Sequence, residues 1–189
     1  MNSRKASMTG ALVCAMITAG CAAQGPAATA TPAAPAAAQV SPQVPQAILL
    51  SHASMLAELT ALTHHRGTVG AIATKALPMV ETHFKREQEY IMPPLSLAHT
   101  LAEGKISPDM RWAITMADRI KANREVIFQE HTQITEVMNE LLAAAQRAHD
   151  ATAEEFARSA VEDSLEDMEV AEPTAIVIGD YLRLRLPPQ

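Results

Sequence analysis

The chain has 189 residues, enough for one ordinary domain with extensions. Only 3% of it is aromatic while alanine is abundant, which favours helices packed through small aliphatic side chains over a sheet. A net charge of −6 argues against general affinity for nucleic acid.

Taken in chain order, residues 1–20 read as a signal peptide. Arg4 and Lys5 give a positive start, and an apolar run follows from about Met8 to Ala19. That run is shorter than the roughly 20 residues a spanning helix needs. It ends in Ile17-Thr18-Ala19-Gly20-Cys21, which resembles a bacterial lipoprotein signal, with Thr18 where leucine is more usual. The resemblance implies acylation of Cys21, an anchor in the cell envelope and a periplasmic protein. Ala22 after the cysteine points to the outer membrane. Cys14 is the only other cysteine, so no internal disulfide is expected after cleavage. Residues 21–46 are rich in Ala, Pro, Gln and Thr and read as an extended tether, with prolines at 26, 32, 35, 42 and 45.

Residues 47–189 carry four predicted helices: 47–66, ended by Gly67; 69–92, ended by Pro93 and Pro94; 109–148; and 151–185. A loop through Gly104 and Pro108 separates the second from the third. Pro78 and Pro173 fall inside helical patterns and predict kinks. Apolar residues step by three and four along each segment: Leu49, Leu56 and Leu59; Val69, Ala73, Ala76 and Val80; Ile120, Ile127, Ile134, Met138 and Leu141; Phe156, Ala160, Val170 and Val177. Such seams predict an all-α, up-down four-helix bundle.

His52, His83, Glu87, His131, Asp163 and Asp167 interrupt these seams, with Arg124 a further exception. A charge at a core position needs a partner or a metal. Six potential ligands on four helices therefore point to a metal site inside the bundle. The two halves also repeat. His131 follows His52 by 79 residues, while Asp163, Asp167 and Pro173 follow His83, Glu87 and Pro93 by 80. This register predicts an internal duplication with pseudo-twofold symmetry.

At these residues a family resemblance emerges. HFKREQEYIMPPL (83–95) resembles the second-helix signature of bacterial hemerythrin-like, HHE cation-binding domains. LLSHASMLAEL (49–59), EHTQITEVMNEL (130–141) and EPTAIVIGDYLRL (172–184) are similar to the family's first, third and fourth helices. The resemblance spans about 48–185. It implies a non-haem di-iron centre, with manganese or zinc as alternatives, that binds oxygen, peroxide or nitric oxide. His52, His83, Glu87 and His131 match the family's ligand positions. The last helix departs from it: Asp163 and Asp167 stand where the family has histidine and glutamate. They read either as ligands of a carboxylate-richer centre or as the mark of a decayed site paired with Arg124, with Glu166 and Glu169 flanking them.

Tyr90, one turn beyond Glu87, reads as a hydrogen-bonding support of the centre or as a core aromatic. Arg124 either pairs with an aspartate of the last helix or extends outward. His64, His65, His99 and His149 read as surface residues, and Met55, Met116 and Met138 as core filler. No nucleophile or general base beyond the ligands is legible, so a binding role is expected ahead of an enzymatic one. The competing expectation is a metal-free hemerythrin scaffold used as a partner-binding or structural envelope lipoprotein.

Overall fold

The computed structural model describes residues 42–188. The expected signal peptide, the expected acylation site at Cys21 and nearly all of the expected tether lie outside the described residues. Those described are all-helical, with no strand among them. Six α-helices follow in order: α1 (Gln46–Leu62), α2 (Thr68–Arg86), α3 (Ala98–Ala102), α4 (Trp112–Ala148), α5 (Ala151–Glu166) and α6 (Glu172–Arg185). The expected loop between the second and third predicted helices is itself wound. It holds α3 between two 3-10 turns, Pro93–Leu97 and Pro108–Arg111. No described helix is long and apolar enough to cross a membrane.

The termini of α4 and α5 show how local chemistry sets the boundaries. His149 takes a left-handed conformation (φ 55°) and stops α4. Asp150 then caps α5, its carboxylate accepting from the Ala153 amide at 3.1 Å. The same carboxylate lies 2.5 Å from His65 Nδ1, tying the α1–α2 loop to the start of α5. His65 is therefore half-buried and paired, whereas His64, His99 and His149 are exposed as expected.

α2 and α5 do not end in loops. Each passes into a single π turn, Glu87–Ile91 after α2 and Asp167–Ala171 after α5. The Met92 amide donates to the Glu87 carbonyl at 2.8 Å, and the Glu172 amide donates to the Asp167 carbonyl. Both bonds span five residues. Pro93 and Pro173 follow immediately. Proline has no N–H and its ring crowds the carbonyl four residues earlier, so opening the ladder by one residue relieves the clash. Pro173 thus lies in the first turn of α6, which runs on from α5 through the π turn, while α2 runs on past Pro78 to Arg86.

The extra residue changes the buried face. Val170 and Val177, expected in the seam, are 55% and 64% exposed. Glu172, Ala175, Ile178 and Leu182 are buried instead. A π turn shifts the three-four spacing by one position, which an uninterrupted helical period cannot anticipate. Arg124, also assigned to a seam, is exposed.

α4 packs along α2, α5 and α6, and α1 lies against α2 and α5. Small residues bring the helix axes close. Gly179 of α6 meets α4 where a Cβ would sit 2.3 Å from Ala117 Cβ and 2.8 Å from the Ala113 carbonyl oxygen. One apolar cluster includes Leu59, Val80, Met138, Leu141 and Phe156. A second contains Tyr90, Ile91, Met92, Ile120 and Ile127. Along α2 and α4 the buried polar residues fall between these clusters, so a polar centre interrupts the core.

Candidate metal centre

The i, i+4 spacing puts His83 and Glu87 on one face of α2, with His83 Nε2 3.1 Å from Glu87 Oε1. His131 of α4 directs its Nε2 to the same oxygen at 4.0 Å. His52 of α1 approaches the other oxygen, Nε2 to Oε2, at 3.4 Å. Three imidazoles from three helices thus converge on one carboxylate. Glu87 is 0% exposed, and neither of its oxygens has a hydrogen-bond partner of proper geometry. His83, Glu87 and His131 each offer a ligand atom within 4.8 Å of the others, so this buried group can hold a metal ion.

Each imidazole is braced from behind through Nδ1. His83 Nδ1 faces Glu130 Oε2 at 3.4 Å, and Glu130 is held by Arg86 at 2.9 Å. His131 Nδ1 faces the Ser164 hydroxyl at 3.1 Å, and Ser164 also meets Thr135. His52 Nδ1 lies 3.1 Å from the Gln88 side-chain amide, while its ring stacks on Phe84 at 3.8 Å between centroids. The His83 and His131 rings meet edge to face at 4.3 Å. Glu130 at His83 and Ser164 at His131 can accept from Nδ1–H, which leaves Nε2 as the inward ligand atom, whereas the Gln88 amide donates to His52 Nδ1 and so puts that neutral ring's proton on Nε2.

The electrostatics suit cation binding. Burial, then the neighbouring His83, pushes the His131 pKa down to about 4. Burial also lowers His52, against the pull of Glu87. Both are neutral at physiological pH, the form that ligates metal. Burial lowers His83 as well, but Glu87 and Glu130 together outweigh it and the pKa rises. Without a cation, a buried carboxylate facing weak donors costs several kcal/mol. The donor set therefore fits a metal: orphaned carboxylate oxygens, two neutral imidazoles and a braced third.

Neither aspartate belongs to the His83–Glu87–His131 group, and both are half-buried along the groove between α1 and α5. Asp167 sits against the centre: burial, then Glu87, raises its carboxyl to about 8, with Asp163 adding to the rise. For Asp163, burial, followed by Glu166 and Glu162, raises the pKa. Glu166 and Glu169 are exposed. Arg124 extends outward, and its charge acts on Glu172 rather than on either aspartate. Tyr90 is buried under Arg119, whose guanidinium lies 3.9 Å from the ring centroid, and it also bonds Arg86. It is both a core aromatic and the end of a chain running through Arg86 and Glu130 to His83.

Glu172 is a buried carboxylate that the spacing of the ligands misses. Burial raises its pKa, Arg124 pulls it back, and Glu87 adds to the rise. It stands five residues after Asp167, on the inner face only because of the π turn. Gln88, Glu130 and Ser164 were also missed. Each is the immediate sequence neighbour of an expected ligand, and that adjacency was the available signal.

No protein-family model, characterised protein or solved structure matches the chain.

Proposed function

We propose that this chain is a hemerythrin-like, non-haem metal-binding protein of the bacterial cell envelope that binds oxygen or a related small ligand such as peroxide or nitric oxide. One observation carries the reading: three braced imidazoles converge on the partnerless carboxylate of Glu87. Continuity of α2 and of α5 with α6 through their π turns supports an up-down four-helix bundle, and the matching turns support a pseudo-twofold duplication.

His83, His131 and Glu87 would hold one metal. Glu87 presents its second oxygen toward His52, and these two with Asp167 would hold a second ion. Asp163 would complete the six-residue set from the groove side. Imidazole with carboxylate suits iron first, then manganese, and zinc less specifically. Bound iron would supply reversible redox chemistry and open coordination positions. The protein's part is to keep His52 and His131 neutral, to orient the three rings and to exclude bulk water.

Reconstitution with ferrous iron, followed by exposure to oxygen or nitric oxide, tests the reading through visible absorption. A new band that Glu87→Ala abolishes is expected. An iron-loaded protein whose spectrum stays unchanged with every ligand would overturn the small-ligand role.

The aspartates of the last helix favour one competing reading, a metal-free scaffold that acts through protein partners. Asp163 lies outside the tight donor group, as decay of that half of the site requires. Tight retention of stoichiometric metal through chelator dialysis contradicts it.

A further inference from the structure

We infer that the groove between α1 and α5 is the route by which a divalent cation reaches the buried centre, and that Met55 and Asp163 form its constriction. This rests on the metal-binding reading above.

Three cavities line up along the groove. The outer one, about 240 Å³, has His52 and Asp167 on its wall, with Glu166 at its edge. A neighbour of about 140 Å³ adds Glu58 and Ser54. The innermost is small, about 20 Å³, and reaches His83, Ser164 and Asp167. Met55 and Asp163 line all three, so the passage from the outer cavities to the innermost one, at His83, runs between them.

Charge points the same way. Glu58, Asp163 and Glu166 border the two outer cavities, and no lysine or arginine does. A concave acidic surface concentrates cations. The carboxylates alone would only be a solvated face. What gives the groove a destination is Glu87: fully buried, without a partner on either oxygen, and 3.4 Å from the imidazole that forms the groove's inner wall. Two further cavities lie elsewhere. One, lined by Lys85, Arg86, Glu89 and Arg119, has more cationic than anionic side chains and touches none of the expected ligands. Another, beside Pro78 and Gln133, touches none of the expected ligands.

Met55 suits a constriction. Its unbranched thioether has three rotatable bonds and moves aside at low cost. It donates no hydrogen bond to the centre, so its size alters passage rather than affinity.

Stopped-flow loading of the metal-free protein with ferrous iron under anaerobic conditions tests the route, paired with release to excess chelator. Met55→Ala should speed both rates and Met55→Phe should slow both, each by about tenfold, with the same equivalents bound at the end. Glu58→Gln should slow loading at low ionic strength and match the parent at high salt. Unchanged rates in all three variants, with normal metal content, overturn the route and leave the metal site standing. A parent protein that takes up no metal overturns the binding reading, and the route with it.

Discussion

Glu87 and Asp167, 80 residues apart, each open a π turn, and each accepts through its own carbonyl the amide five residues on. The two halves of the chain thus place a carboxylate, a widened helical turn and a proline in the same order. π turns concentrate at functional sites because they turn a side chain away from the regular helical face. Here both turns begin at residues that face the centre.

That pairing has a consequence for stability in the absence of metal. Asp167 has a folded pKa of about 8, far above the unfolded value. Its penalty is absent below about pH 4, grows as pH rises, and is complete above about pH 8. His131 acts in the opposite sense below pH 6.5. Its lowered pKa makes the unfolded chain bind more protons, so stability is lost down to about pH 4. The metal-free protein should therefore gain thermal stability from pH 8 to pH 6.5 and then level off. Asp167→Asn should remove most of that slope, about 2 kcal/mol of unfolding free energy between pH 6.5 and pH 8, and so raise the melting temperature at pH 8. Thermal unfolding at several pH values checks this.

Glu87→Gln should separate stability from metal binding. The substitution keeps the side chain's shape and removes the buried charge that His83 faces at 3.1 Å. Metal affinity should fall at least tenfold, with a smaller loss of metal-free stability as His83 loses the charge it faces. Calorimetry with and without metal reads both.

The outer braces predict graded effects. Removing Glu130 leaves His83 Nδ1 without its carboxylate and frees Arg86. Glu130→Ala should weaken metal binding by about 10- to 100-fold, and Ser164→Ala by less, because a hydroxyl is the weaker partner. Competition with a chromophoric chelator gives the constants.

Packing makes a separate prediction. An added Cβ at Gly179 meets backbone as well as Ala117, and neither retreats easily. Gly179→Ala should destabilise the fold by about 1–3 kcal/mol while leaving the metal ligands in place. Chemical denaturation measures it.

Much of this was legible in the residues. The seam of Val69, Ala73, Ala76 and Val80 is buried as its spacing requires, and His52, His83, Glu87 and His131 lie inside as their positions in the seams implied. Helical period is a local property, so it reads well until the period changes. The change at Asp167 placed Val170 and Val177 outside and brought Glu172 in. A proline marks where a ladder must give way, but not whether it kinks, ends or widens. Asp163 shares a register with His83, yet it reaches the groove wall rather than the donor group, because neighbouring helices, not spacing, set that distance.

The most direct test of the account is the metal content of the purified protein after ferrous loading and chelator dialysis, beside His83→Ala. About two irons per chain, lost in the variant, is the predicted result. No retained iron in the parent, or equal iron in parent and variant, would contradict it.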